Sequence, residues 1–309
     1  MFGRMRGAAP LLLMLVAATS LGRAGNAAKP LRIKAAYPEG PAVIGKAVYW
    51  AEMPLDRVRE LKDGHVRTVW SSANCGPTAV RPTPQGDVWV LCHLGGRVLL
   101  LDSNWRLKKE VTYTTSGTRV VWPNDGKVDA AGNIYLSSSG IFSFAAPSTG
   151  TVVRISPSGE AVTIAGPFHY TNGISLNPSA TLLYVSEHLE RRIWALQLNN
   201  GQVVGKSLFF DFNAAGLSRP DYAEAGPDGQ WLSPSGDLFV AEYGGGRIIH
   251  IGAGGTLKGV IKTPTKYVTN MVPSPFHPGH FIVTGTFDNQ AADLPGMVFE
   301  TGPVFVPGH

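Results

Sequence analysis

The stretch Gly226-Pro227-Asp228-Gly229-Gln230-Trp231-Leu232-Ser233-Pro234-Ser235-Gly236-Asp237-Leu238-Phe239-Val240-Ala241-Glu242 decides how the chain is read. It contains a turn-like Asp-Gly, a short apolar run, a second turn at Ser235-Gly236-Asp237, and then another apolar run. Short apolar runs bounded by Gly, Pro, Asn, Asp and Ser read as strands joined by tight turns. The same grammar recurs along most of the chain.

The first copy holds expected strands at Ala47 to Trp50, Arg57 to Leu61 and His65 to Trp70. The second has Thr78 to Val80, Asp87 to Leu91 and Gly96 to Asp102; the third has Lys127 to Asp129, Asn133 to Leu136 and Gly150 to Ile155. The fourth has Gly173 to Leu176, Leu182 to Val185 and Arg192 to Leu196. The fifth is the opening stretch with Gly246 to Ile251, and the sixth has Asn270 to Val272, Phe281 to Thr284 and Gly296 to Glu300. Units of three or four strands recurring roughly every 40–50 residues are the signature of β-propeller blades. The expected fold is therefore all-β, a six-bladed β-propeller. A lone blade leaves both faces bare, and closing six into a ring covers them. The alternating segment Leu31 to Ala35 has no hairpin partner nearby, so it is expected to close the ring against the last blade. The long loops from Ser137 to Thr149 and from Asn213 to Gly226 are expected over one mouth of the channel.

Composition agrees with one large domain. With 37 Gly and 23 Pro spread along 309 residues, long helices are disfavoured, and 44% hydrophobic residues supply an ample core. The N-terminus reads as a secretory signal: Arg4 and Arg6, then the apolar Leu11 to Ala18, then small residues to Ala27. The apolar run is shorter than the roughly 20 residues that span a bilayer. Residues 1–27 are thus expected to be removed, leaving a single domain over 28–309, secreted or periplasmic, with no membrane span. Removing Arg4, Arg6 and Arg23 lowers the formal net charge from +5 to +2. No basic run is present, so nucleic acid is not expected as a partner. Cys75 and Cys92 flank a predicted hairpin, where strand start faces strand end, and an oxidising compartment would let them pair. The alternative is two buried thiols.

Aligning the units on their second strand exposes a shared position. Tyr135 lies 11 residues after Asn124, Phe239 lies 11 after Asp228, Tyr184 lies 12 after Asn172, and Tyr49 lies 10 after Glu39. Glu39, Asn124, Asn172 and Asp228 thus occupy one slot in four blades, each just before the expected innermost strand. Asn270, 11 residues before Phe281, holds the slot in the sixth and is expected to line the channel. Asn-Gly and Asp-Gly are also strong turn signals. Each unit, however, has its own hairpin turn further on, and Glu39 is a poor turn residue. Four oxygen-bearing side chains converging at one mouth, two of them carboxylates, suit a hard cation such as Ca²⁺. No His or Cys stands in the slot, which disfavours zinc.

These residues resemble a known family. Glu39-Gly40-Pro41, Asn124-Asp125-Gly126-Lys127-Val128-Asp129, Asn172-Gly173 and Pro227-Asp228-Gly229 are similar to motifs of the gluconolactonase, senescence-marker-protein and regucalcin family. The resemblance implies a six-bladed propeller with a divalent metal in the channel. It makes Glu39, Asn172 and Asp228 metal ligands, Asn124 a ligand or substrate contact, and Asp228 also the acid/base group. Where the family often has Arg two residues before the third-blade Asn, this chain has Trp122, which points to a less polar substrate or stacking on a ring. Glu187 stands where sugar-lactone members often have Asp, closer to lactonase and phosphotriesterase relatives.

His169 and Tyr170 flank Asn172 and are expected in the pocket. His93 and His188 end second strands; each is placed for a proton shuttle, the plainer reading being a loop histidine bonded to backbone. No Gly-x-Ser-x-Gly elbow occurs, so serine-hydrolase chemistry is unsupported. The expected function is a monomeric, calcium-dependent hydrolase of a small ester, foremost a lactone, with Asp228 as base and Asn124 holding the oxyanion. In a phosphotriester variant Asp228 attacks directly. The rivals are a non-catalytic ligand-binding propeller with a structural calcium ion, and a metal-independent enzyme like strictosidine synthase.

Overall fold

The structure, a computed structural model, describes residues 31–218 and 220–304. The expected signal segment, with its cleavage point near Ala27, lies outside the described residues. After a first strand β1 (Arg32–Ala36), blade 1 comprises β2 (Pro38–Ile44), β3 (Ala47–Glu52), β4 (Arg57–Lys62) and β5 (His65–Ser71). Blade 2 comprises β6 (Pro77–Pro82), β7 (Val88–Cys92), β8 (Arg97–Leu101) and β9 (Leu107–Val111). Blade 3 comprises β10 (Pro123–Val128), β11 (Ile134–Ser138), β12 (Gly150–Ile155) and β13 (Ala161–Phe168). Blade 4 comprises β14 (Thr171–Leu176), β15 (Leu182–Glu187), β16 (Arg192–Asn199) and β17 (Gln202–Asp211). Blade 5 comprises β18 (Gly226–Leu232), β19 (Leu238–Tyr243), β20 (Arg247–Ile251) and β21 (Leu257–Lys262). Blade 6 comprises β22 (Tyr267–Pro273), β23 (Phe281–Thr286) and β24 (Pro295–Glu300), and β1 supplies its fourth strand.

β1 pairs antiparallel with β24, Arg32 opposite Phe299 and Ala36 opposite Pro295, so the first and last described strands close the ring as the alternating segment predicts. Each inner strand packs against the inner strand of the next blade, and β22 packs against β2. Six apolar clusters fill the wedges between neighbouring blades. Trp89, Leu91, Ile134 and Leu136 pack between blades 2 and 3; Val48, Trp50, Ile282 and Val298 pack between blades 1 and 6. Second strands are covered on both faces, which is why Val88–Cys92 and Leu238–Tyr243 are buried at every residue. Fully burying one such side chain contributes about 1.5–3 kcal/mol.

Two features differ from the sequence reading. The outer strands β9, β13, β17 and β21 were not anticipated. In β9, Leu107 to Glu110 are exposed and only Val111 is buried, so an outer strand lacks the apolar run that marks the others. Glu39, Asn124, Asn172 and Asp228 do not precede the inner strands but lie within their opening residues. There the pairing slips: Glu39 faces Ala51 but Ala42 faces Tyr49, and Pro227 faces Glu242 but Gln230 faces Val240. All six inner strands carry one such extra residue, a β-bulge that re-aims side chains toward the axis.

The glycines after Asn172 and Asp228 serve close packing rather than a turn. A Cβ on Gly173 would lie 2.0 Å from the carbonyl oxygen of Asp228, the neighbouring inner strand. Cys75 and Cys92 form a disulfide, with Cα atoms 4.5 Å apart, tying the approach to β6 to the end of β7. No helix among the described residues is long and apolar enough to cross a membrane.

Candidate metal and substrate site

Because the bulges repeat, the four slot residues meet. Glu39, Asn124, Asn172 and Asp228 are all buried and together line a cavity of about 280 Å³ at one mouth of the channel. Above them stand Tyr37, Phe142, Tyr170, His188, Tyr222 and Tyr243, with Asn289 and Gln290. Both long loops contribute, Phe142 from the first and Tyr222 from the second.

The electrostatics of this floor are unbalanced. Burial, and next the charge of Asp125, push the Glu39 carboxyl up to about 8. Burial, then Glu39 and Asp125, hold Asp228 well above the usual carboxylate range. Among the described lining residues none is Lys or Arg. Arg81, the buried cation nearby, is committed to Asp125 and to the carbonyls of Gly40, Pro41 and Gly126. One buried acceptor is left without a partner: Oδ1 of Asn172. Its other end is held, because Nδ2 donates to Nδ1 of His188 at 3.3 Å. His188 donates from Nε2 to the carbonyl of Glu224 at 2.8 Å, and burial pushes its ring down to about 4, so it is neutral.

An orphaned buried oxygen beside two carboxyls that repel one another is costly unless something positive binds there. The donor set is entirely oxygen, which fits a hard divalent cation and fits calcium better than zinc. The residues present thus suit the ion implied by the resemblance. Glu39, Asn172 and Asp228 would hold it, with Asn124 as a further oxygen.

Below this floor, Asp125 joins several blades across the axis. It pairs with Arg81 of β6 and accepts from Nδ2 of Asn270 at 3.1 Å and from the backbone of Ile174 at 3.4 Å. Asn270, expected in the substrate pocket, sits in this layer and does not line the cavity. Counting from Phe281 misplaces it, because the extra residue of β22 is Thr269, as it is Thr78 in β6. Both hydroxyls brace the next blade: Thr78 donates to the carbonyl of Asn124 at 2.8 Å, and Thr269 to that of Pro38 at 2.8 Å.

Tyr170 and His188 line the cavity; Trp122 and His169 do not. Trp122 is 38% exposed at the mouth. His169 is occupied by Glu190 at 3.0 Å and the Ser143 carbonyl at 3.0 Å, holding the first loop down. His93, half-buried, does not line the cavity, and the burial of its ring pushes it down to about 4.

The sequence reading missed Tyr37, Tyr222, Tyr243 and Asn289. Tyr37 donates to the hydroxyl of Tyr243 at 3.0 Å, and Asn289 donates to Tyr243 at 3.1 Å and Tyr222 at 3.2 Å. Burial raises the phenols of Tyr37, Tyr170 and Tyr243 above their ordinary value, so all three stay neutral. A signal for the first of them existed. Two residues before Glu39, Asn124 and Asn172 stand Tyr37, Trp122 and Tyr170, each with a left-handed φ, of 39°, 47° and 67°. Bulky residues rarely adopt that conformation, and such strain concentrates at ligand sites.

The family description SMP-30/Gluconolactonase/LRE-like region matches residues 37–274. A relative, the 6-deoxy-6-sulfogluconolactonase of Pseudomonas putida, is 24% identical over 286 residues, covering 87% of this chain and 94% of that one. A gluconolactonase from Xanthomonas campestris superposes with a TM-score of 0.69 at 21% identity, covering 86% of this chain and 87% of that one. A calcium-binding regucalcin from Agrobacterium tumefaciens superposes with a TM-score of 0.66 at 15% identity, over 90% of this chain and 95% of that one. With the family match spanning most of the propeller and its four slot residues, the chain belongs to the SMP-30/gluconolactonase/LRE-like family.

Proposed function

We propose that the chain is an exported, calcium-dependent hydrolase of a small lactone, acting in the cavity floored by Glu39, Asn124, Asn172 and Asp228. The observation that carries this reading is the unpartnered Oδ1 of Asn172 beside two buried carboxyls. The names of the P. putida and X. campestris proteins support a lactone, and the name of the A. tumefaciens protein supports calcium. The Cys75–Cys92 bond accords with an oxidising compartment, and hence with export.

A bound divalent cation supplies a Lewis acid for the lactone carbonyl and a countercharge for the carboxylates. The remaining chemistry belongs to the chain. Asp228 takes a proton from the attacking water as the water oxygen bonds to the carbonyl carbon. Asn124 donates from its side-chain amide to the developing oxyanion. When the ring C–O bond breaks, Asp228 returns the proton to the departing alkoxide, giving the hydroxy acid. The aromatic collar of Tyr37, Phe142, Tyr170, Tyr222 and Tyr243 holds a ring-bearing substrate by stacking and sheds water from the floor.

Asp228→Asn tests the assignment. It keeps an oxygen for the ion but cannot accept the proton, so turnover at saturating calcium should fall by about 10²-fold or more. Turnover near the wild-type value in a variant that still binds calcium would remove Asp228 from the role of base.

A further inference from the structure

We propose a second metal site, distinct from the channel and of different chemistry: His277, His280 and Glu300 form a transition-metal site, best suited to Zn²⁺, where the β22–β23 turn of blade 6 meets the end of β24. One ligand atom from each residue lies within 4.8 Å of the others, and no other group of three or more His, Cys, Asp or Glu side chains meets that condition among the described residues. The set mixes imidazole with carboxylate, the preference of zinc and its neighbours, whereas the channel floor offers only oxygen.

The surroundings prepare the ligands. His280 donates from Nδ1 to the carbonyl oxygen of Thr301 at 2.6 Å, which leaves the lone pair of its neutral ring on Nε2. Nδ1 of His277 faces Oε2 of Glu300 at 2.9 Å, so these two ligand atoms already stand side by side. The Ser274 hydroxyl donates to Oε1 of Glu300 and accepts from the backbone of Phe276 at 3.1 Å and His277 at 3.3 Å, fixing the turn on which both histidines sit. A ring nitrogen held by a carbonyl so that the opposite nitrogen is free, as in His280, is the usual support of a metal-binding histidine. Zinc–nitrogen bonds of about 2.0–2.1 Å require the ligand atoms to draw together by about 1 Å. The half-exposed His277 side chain has room to make that movement, and the buried Glu300 is the fixed point.

The location gives the site a purpose. Glu300 ends β24 and donates from its backbone to the carbonyl of Leu31 at 3.1 Å, beside the start of β1. His277 and His280 belong to the turn between β22 and β23. An ion there staples that turn to the end of β24, the strand on which β1 pairs. His277 and Glu300 also line a cleft of about 480 Å³ walled by Leu31, Ile33, Leu61, Val66 and Phe276.

Zn²⁺ and Co²⁺ titrations of the tag-free protein test this by calorimetry and visible absorption. The double variant His277→Ala/His280→Ala and the channel variant Asp228→Asn serve as comparisons. The proposal expects a bound ion whose affinity drops about tenfold or more in the histidine variant and is unchanged in Asp228→Asn. It also expects tetrahedral Co²⁺ bands and a zinc-dependent rise in Tm that vanish with the histidines. Binding that survives the histidine double variant, or no binding of either ion to the wild type, overturns it. A histidine variant that fails to fold shifts the readout to His277→Gln alone; His277 is half-exposed, and full zinc affinity in that variant would equally overturn the site.

Discussion

Asn172 donates from Nδ2 to Nδ1 of His188 at 3.3 Å, and that contact decides which end of the amide faces the cavity. With Nδ2 taken, Oδ1 is the free end, buried and without a partner. His188 is itself locked by the Glu224 carbonyl at 2.8 Å. In the proposed site His188 would act as a positioning residue, its neutral ring holding Asn172 with Oδ1 toward the cation. His188→Ala should weaken calcium binding by about tenfold, read by calorimetry, while the fold persists. His188→Gln, able to accept the same hydrogen bond, should recover part of the loss. Unchanged affinity in His188→Ala would show that Asn172 needs no such support.

Gly173 tests the close approach of neighbouring inner strands. A methyl group there meets the backbone oxygen of Asp228 at 2.0 Å, and backbone cannot swing aside as a side chain can. Gly173→Ala should cost about 1–3 kcal/mol or more by urea denaturation. It should also weaken calcium binding, since the strand it pushes carries Asp228. Gly254→Ala, with nothing within 4 Å of the added carbon, should stay within about 0.5 kcal/mol of wild type. Equal stabilities for the two variants would contradict the packing role.

Acid stability has a local component at Asp237. Burial alone would raise its carboxyl; hydrogen bonds from Lys258 and His250 outweigh that and hold it below its ordinary 3.8. A depressed carboxyl stabilises the fold at any pH above its unfolded value, and the contribution is lost as pH falls through the lower folded value. The stability gap between wild type and Asp237→Asn should therefore be steady above about pH 5 and shrink below about pH 4. A gap that stays constant down to about pH 2 would show that Asp237 is not held in this way.

What was legible in the sequence follows from what repeats. Second strands are buried on both faces, so Val88–Cys92 and Leu238–Tyr243 announce themselves as apolar runs, and their spacing leads back to the slot residues. The ring-closing strand was legible because Leu31 to Ala35 alternate without a local partner. The outer strands were not, since Leu107 to Glu110 face solvent and carry no pattern. Counting also failed at Asn270, because a bulge cannot be seen in one sequence and the extra residue of β22 falls on Thr269. The hydroxyl network of Tyr37, Tyr243 and Asn289 joins residues 206 and 46 positions apart, which no local pattern reports. The role of Asp125 was hidden for the same reason. Beside Asn124 it reads as turn grammar, yet in the fold it gathers Arg81, Ile174 and Asn270 beneath the cavity.

The central claim is that Glu39, Asn124, Asn172 and Asp228 form a cation-dependent lactone-opening site. The most direct measurement is hydrolysis of a panel of aryl-fused, alkyl and sugar lactones by chelator-stripped protein, before and after calcium is restored. The account predicts no turnover when stripped, recovery on adding Ca²⁺, and better rates for ring-fused lactones that can stack on the aromatic collar. Full turnover by the stripped protein, or no lactone opened at any calcium concentration, would contradict it.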